Sequence, residues 1–394
     1  MSLKILDLKA QCTGCGACAS ICPKVALTIK YNDEGFYYPH LNQDLCIDCK
    51  SCEKVCHVLN LEISEQPSRQ YDVFMCKSHD RELVMKSSSG GIFSILAEYV
   101  LKKGGVVYGA RYNFDKEQLE HCSTDECTID ELRKSKYIES YTGDIFKKVG
   151  DNLKTGRMVL FCGTPCQIAG LSFYLKKKII PTENLVRVRF ICHGVPSNKF
   201  FTEYKHFEEK RYGAKMTRFD FRPKTSGWAS SDWLMEFANG KSNRGNYMHY
   251  YYYYYYYYFQ KNYALRESCY QCEHLKHEIA DFTIADFWGI VYYKPELKEK
   301  DGLSLVLTHT PIANAIMSEI RNTCGVEQLP LSATDYIYKD APEKAMLLEG
   351  RNNMMKQVIK YGYMKVAKDT LRGRIIKNKI HGFVSAIKHQ IMGK

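Results

Sequence analysis

Residues 12–23 read CTGCGACASICP, and residues 46–56 read CIDCKSCEKVC. In both runs successive cysteines are separated by two, two and three residues. Eight thiols repeated in one pattern point to metal, because thiolates are soft anionic donors that suit iron–sulfur clusters and zinc. Two readings follow: two iron–sulfur clusters, or two zinc sites of four cysteines each. The two-two-three spacing, kept in both runs, favours iron.

Composition supports metal over disulfides. The chain has 394 residues and 17 cysteines, whereas disulfide frameworks belong to short secreted domains. The stretch MSLKILDLKAQC has neither a long apolar segment nor a small-residue cleavage site. No segment approaches the roughly 20 apolar residues of a transmembrane helix. The expectation is a cytoplasmic protein of two or three domains. The net charge is +12, but from Arg351 onward there are 11 Lys/Arg against one acid, Asp369. The remainder is close to neutral, which argues against a nucleic-acid-binding surface.

The spacing C-x2-C-x2-C-x3-C-P resembles that of two-cluster bacterial ferredoxins, whose fourth cysteine crosses to the other cluster. The resemblance implies one [4Fe–4S] cluster on Cys12, Cys15, Cys18 and Cys56, and another on Cys46, Cys49, Cys52 and Cys22. Pro23 closes the first run as expected; His57 stands where the second would have proline. Two clusters make a short one-electron relay, and a relay needs a terminus.

Beyond a polar linker, ISEQPSRQ (63–70), strand-like and helix-like patterns alternate. YDVFMCK (71–77), VVYGARY (106–112), MVLFCG (158–163), VRVRFICHG (186–194) and DFTIADFWG (281–289) read as strands. GGIFSILAEYVLKKGG (90–105) and IAGLSFYLKKK (168–178) read as helices. Such alternation predicts an α/β body. Further cysteines fall in its loops: Cys162 and Cys166 in FCGTPCQ, Cys192 in FICHG, and Cys269 and Cys272 in CYQC. If these loops meet at the carboxyl ends of the strands, Cys166, Cys192, Cys269 and Cys272 would hold a third cluster, with Cys162 as substitute. The competing reading makes Cys162 and Cys192 small buried hydrophobes. Cys76, Cys122, Cys127 and Cys324 are isolated and read as structural or incidental.

SSSGGIF (87–93) opens a helix, and two readings are open: a ligand loop for phosphate or a flavin edge, or an N-cap by Ser88 or Ser89. The nine tyrosines of 250–258 predict a helix or strand with one face in the core and one in water. Past residue 320 the pattern is mostly helical. Ile376, Ile380, Phe383, Val384, Ile387 and Ile391 recur at helical spacing among lysines. This basic helix either lies on the inner face of a membrane or packs on the body.

Six segments in order, KSSSGGIFSILAEYVLKKGGVVYGARY, FCGTPCQIAGL, FICHGVPS, FRPKTSGW, RESCYQCEHL and DFTIADFWG, resemble the family of coenzyme F420 hydrogenase/dehydrogenase beta subunits over about residues 72–310. The resemblance implies FAD near an iron–sulfur cluster, with Ser88, Ser89, Gly90 and Gly91 as contacts. It implies exchange between a two-electron carrier or substrate, F420-like or other, and one-electron clusters. Arg222 and Lys224 become candidates to pair with phosphate or an acidic substrate, against a solvated basic face. Asp286 becomes a candidate to orient the flavin, against an N-cap or structural role. Some members lie with surface-polysaccharide genes, so the alternative is an electron-transfer subunit without a substrate of its own. Partners would be a redox protein or ferredoxin and a small-molecule hydride carrier.

The expected fold is therefore an α+β ferredoxin-like two-cluster domain (1–62), an α/β flavin- and iron–sulfur-binding body (63–320) and a helical basic tail (321–394). Three [4Fe–4S] clusters would give about 12 irons per chain. Replacing Cys269 and Cys272 by serine should then remove about four, measured by iron analysis and low-temperature spectra.

Overall fold

An N-terminal segment of about 60 residues buries little apolar surface and is marginally stable by itself. The computed structural model shows where it finds the rest. It describes residues 3–60, 71–230, 232–245, 254–272, 279–297, 299–335 and 346–372. Helix α1 (Ala17–Ile21), the antiparallel hairpin of β1 (Leu27–Tyr31) and β2 (Tyr37–Leu41), and helix α2 (Ser51–Lys54) carry the two cysteine runs.

The body runs through β3 (Asp72–Ser78), α3 (Ile92–Lys102), β4 (Val106–Asn113), β5 (Gln118–Ser123), α4 (Ile145–Lys154), β6 (Val159–Gly163), α5 (Pro165–Lys178) and β7 (Leu185–Phe190). It continues through α6 (Asn198–Tyr212), β8 (Met216–Asp220), β9 (Trp233–Phe237), β10 (Ser242–Gly245), α7 (Tyr254–Gln260), β11 (Phe282–Asp286), β12 (Ser304–Thr308), α8 (Pro311–Ile320), β13 (Cys324–Leu329) and α9 (Leu348–Tyr361).

Eight strands form one mixed sheet in the order β13-β3-β12-β11-β7-β6-β4-β5. Its centre is parallel: β4 pairs β6, β6 pairs β7, and β7 pairs β11. The outer strands are antiparallel. Parallel strands are covered on both faces and read as near-continuous apolar runs. Val159, Leu160 and Phe161 of β6 and Val186 and Val188 of β7 are accordingly inaccessible to solvent. Strands β8, β9 and β10 form a separate antiparallel sheet. Helix α5 begins sharply because Thr164 and Gln167 form a capping box with Pro165 in the first turn.

Leu3, Ile5, Ala17, Ile21, Leu27 and Val55 of the N-terminal domain share a core with Phe146, Val149, Ile168 and Leu171 of α4 and α5. Polar ties reinforce the contact: Thr142 Oγ1 donates to the Cys15 carbonyl at 3.0 Å, and Tyr37 N–H donates to Glu139 Oε2 at 3.0 Å.

Three expectations need correction. The tyrosine helix is not two-faced: Tyr255, Tyr256, Tyr257, Tyr258 and Phe259 are all buried. Tyr255 packs against Phe200, Phe201 and Tyr204 of α6. The body does not end at residue 320: β13 completes the sheet against β3, while α9 keeps the later tail helical as expected. Cys122 and Cys127 are not isolated but joined by a disulfide, a pairing that nothing in their spacing signals. Cys76 and Cys324 are buried in the sheet core, as structural cysteines would be. The linker at 63–70 and the basic helix from Ile376 to Ile391 lie outside the described residues.

Gly170 decides how closely α5 approaches the first cysteine run, since a Cβ there would sit 2.9 Å from Cys15 Sγ and 3.2 Å from the Phe146 ring. Gly170→Val should therefore lower stability by about 1–3 kcal/mol, the usual cost of overpacking. A denaturation midpoint, with iron counted on the surviving native fraction, checks it.

Candidate functional site

The three cysteine groups are brought together separately. Cys15 and Cys18 are half-buried with Cys12 and Cys56 beside them, and loss of solvent around the sulfurs, reinforced by these neighbours, pushes both thiols well above the ordinary range. Cys22, Cys46, Cys49 and Cys52 line a small cavity of their own; Cys49 is exposed. In the body, Cys166 opens α5, Cys192 follows β7, and Cys269 and Cys272 lie on or next to the turn Glu267–Gln271. Burial pushes Cys166 up to about 11 and Cys269 up to about 12, and burial followed by Cys269, Cys166 and Cys272 pushes Cys192 higher still.

Buried thiolates so close repel one another, and only a cation among them makes the ionised set tolerable. An iron–sulfur cluster supplies that charge, so the donor sets fit the group. Gly194, at φ +126°, keeps the loop after β7 tight: a Cβ there would meet Leu265 at 2.7 Å and Cys269 Cβ at 3.2 Å. Cys162 lines the same cavity, but its thiol is influenced by Lys136 and not by the other cysteines.

The body quartet opens into a cavity of about 660 Å³ at the carboxyl ends of β6, β7 and β11, where open α/β sheets bind ligands. Ser88, Ser89 and Gly91 line it, followed by Ile92, Phe93 and Ser94 of α3. Neither serine caps α3. Its N-cap is Gly91 at φ +96°, without a side-chain cap bond. Ser88 Oγ accepts from Ser135 N–H at 2.7 Å, and Ser89 Oγ donates to the Leu303 carbonyl at 2.5 Å. The helix N-terminus thus carries no side-chain cap, and helix N-termini favour anions.

Gly90 is not among the lining residues. It packs on the sheet, where a Cβ would come 2.3 Å from the Cys76 carbonyl. Lys224 is not among them either. Its ammonium donates to the carbonyls of Val84 and Ser89 at 2.8 and 2.7 Å, and burial brings its pKa down to about 7. It anchors the serine–glycine loop from behind. Arg222 and Asp286 do line the cavity, as an ion pair at 2.5 Å. Asp286 also accepts from Trp228 Nε1 at 2.8 Å, and Trp228 stacks on Trp288 with centroids 4.5 Å apart.

Lining residues outside the sequence candidates include His121, Lys136, Glu139 and Arg266. His121 is held between Ser140 Oγ at 2.6 Å and the Cys162 carbonyl at 3.1 Å, and burial lowers its pKa to about 4, so it is neutral at pH 7. Lys136 donates to the carbonyls of Arg133 and Lys134, and burial lowers its pKa to about 8. Glu139 and Arg266 form a buried ion pair at 2.5 Å. Only Arg266 carried a signal, as the first residue of RESCYQC. Elsewhere Glu117, His206 and Glu209 converge, but Lys205 already neutralises both carboxylates at 2.6 and 2.8 Å.

Residues 156–333 match the family model for the C-terminal part of the coenzyme F420 hydrogenase/dehydrogenase beta subunit, and residues 11–60 match a 4Fe-4S dicluster domain. The F subunit of the F(420)H(2) dehydrogenase from Methanosarcina mazei is 24% identical over 309 residues, 73% of this chain and 80% of that protein. An uncharacterized ferredoxin of Methanocaldococcus jannaschii is 34% identical over 56 residues, 14% of this chain and 71% of that protein. A chain of the F420-reducing [NiFe] hydrogenase complex from Methanosarcina barkeri superposes with a TM-score of 0.46 at 19% identity, covering 72% of this chain and 91% of that one.

The four thiols beside the cavity mouth give a direct check on the donor sets. Cys166→Ser should remove about four irons, whereas Cys162→Ser should leave the iron count unchanged.

Proposed function

Because the chain belongs to the family of coenzyme F420 hydrogenase/dehydrogenase beta subunits and carries a two-[4Fe–4S] domain ahead of the matched region, we propose a flavin-dependent iron–sulfur oxidoreductase. In this reading electrons pass between a small-molecule two-electron carrier and the clusters, by way of FAD. One observation carries it: a single cavity is lined both by the serine–glycine loop with the uncapped N-terminus of α3 and by the quartet Cys166, Cys192, Cys269 and Cys272. Its volume suits a cofactor-sized ligand. FAD, when bound, supplies the junction between hydride and single-electron chemistry.

The residues have separable duties. The N–H groups of α3 and the hydroxyl of Ser88, which accepts from Ser135 and keeps its own proton to donate, would hold the diphosphate. Lys136 would place a positive charge against an anionic part of the ligand. The Arg222–Asp286 pair and Trp288, which is 42% exposed, would meet the substrate at the mouth. The quartet would hold a third cluster, the set with Cys12 the next, and the set with Cys46 the outermost, where exposed Cys49 faces a redox partner or ferredoxin. No helix among the described residues is long and apolar enough to cross a membrane.

Anaerobic purification with iron, sulfide and flavin analysis tests the reading. About 12 irons and one FAD per chain are expected. About eight irons, with no flavin even after FAD is supplied, would leave an electron-relay subunit.

Lys136 gives a pH test. Its charge is lost progressively as pH rises through about 8, so FAD should bind more tightly well below that pH and more weakly well above it. Lys136→Met should cost roughly tenfold in affinity at pH 7, in line with a charged hydrogen bond of ~1.5 kcal/mol, and should flatten the pH dependence. Fluorescence titration of FAD reads both.

A further inference from the structure

Arg266 reaches from the body cysteines to the first ferredoxin run. It is 1% exposed and lies three residues before Cys269. Its Nε donates to the Cys12 carbonyl at 2.7 Å. Nη1 meets Glu139 Oε1 at 2.5 Å, and the guanidinium lies 4.1 Å from the centre of the Tyr38 ring. Gly14, at φ +71°, leaves room for it: a Cβ there would come 2.9 Å from Nη1.

The other side of Arg266 belongs to the quartet. Its carbonyl accepts the Cys269 N–H at 3.0 Å. Its charge eases the ionisation of Cys166 and Cys269. It lines the cavity that those cysteines share. One donor is left over: Nη2 is buried without a hydrogen-bond partner. A buried, charged N–H is costly unless something accepts from it.

We propose that Arg266 is an electrostatic bridge between two neighbouring [4Fe–4S] clusters, with Nη2 donating to a sulfur of the cluster on the body quartet. The inference rests on the third-cluster reading above. Hydrogen bonds to cluster sulfurs and nearby charge set reduction potentials. A guanidinium does not deprotonate in proteins, so it stabilises the reduced, more negative state of each cluster at every working pH. It raises both potentials and offsets the repulsion between adjacent negative clusters. Arg266 is thus a positioning and tuning residue.

The test is an anaerobic redox titration of the full-length protein followed by electron paramagnetic resonance, with iron counted on each sample. Arg266→Lys keeps a charge but loses the planar fork. It should shift the reduction equilibrium of the body cluster about tenfold toward the oxidised form, about 59 mV for a one-electron couple. Removing one partner of a buried ion pair endangers folding, so Glu139→Gln with Arg266→Gln is the second variant. It removes both charges while keeping hydrogen-bonding side chains. It should shift the body cluster and the cluster on Cys12, Cys15, Cys18 and Cys56, leaving the cluster on Cys22, Cys46, Cys49 and Cys52 unchanged as an internal control. A wild type with about 12 irons and variants with unshifted potentials would overturn the bridge alone. A wild type with about eight irons would overturn the third cluster and the bridge with it.

Discussion

One shared hydrophobic core governs the rest of the molecule. Ile5, Ala17 and Ile21 do not close a core within the N-terminal domain; they pack with Phe146, Ile168 and Leu171 of the body. A domain of about 60 residues gains most from such a partner, because its own surface-to-volume ratio is unfavourable. The packing also sets the redox layout. Cys15 lies against Gly170 of α5, and Cys166 opens that same helix. Cys166 and the Gly170 contact to the first cysteine run therefore lie one turn apart on the same face of α5.

Electrostatics then has to satisfy what packing has buried. Cysteines taken out of water favour the neutral thiol, and in each group the remedy that fits is a metal cluster. Buried cations are handled differently. Lys224 is engaged by two backbone carbonyls, and Arg222 by Asp286 and the Trp228 carbonyl. Both stabilise the loops that shape the cavity. Arg266 keeps an N–H left over, and Lys136, bonded like Lys224 to two backbone carbonyls, differs from it in lining the cavity.

The parallel strands and their helices were readable because fully buried strands are short apolar runs, and because Gly, Thr and Pro mark where they stop. The edge strand β13 was not. CGVEQL alternates poorly, and only pairing with β3 makes it a strand. The tyrosine run misled for a related reason. Tyrosine suits both core and surface, and burial of Tyr255 to Tyr258 depends on the aromatic face of α6, far away in sequence. Gly90 was legible as a required glycine but not for its cause, which is close packing on the sheet.

The chemistry of the donors was determined by the sequence alone: thiolates at ferredoxin spacing, and a C-x2-C pair beside a Gly-rich strand-end loop. Those signals are local, because a turn of fixed length presents ligands at fixed offsets. Which loops share a cavity, which cations are already paired, and that Arg266 spans two cysteine groups were decided by tertiary structure. These depend on contacts between residues more than 100 positions apart, as in Arg266 with Cys12 and Glu139. Burial turns such contacts from surface pairs worth little into constraints that cannot be left unsatisfied.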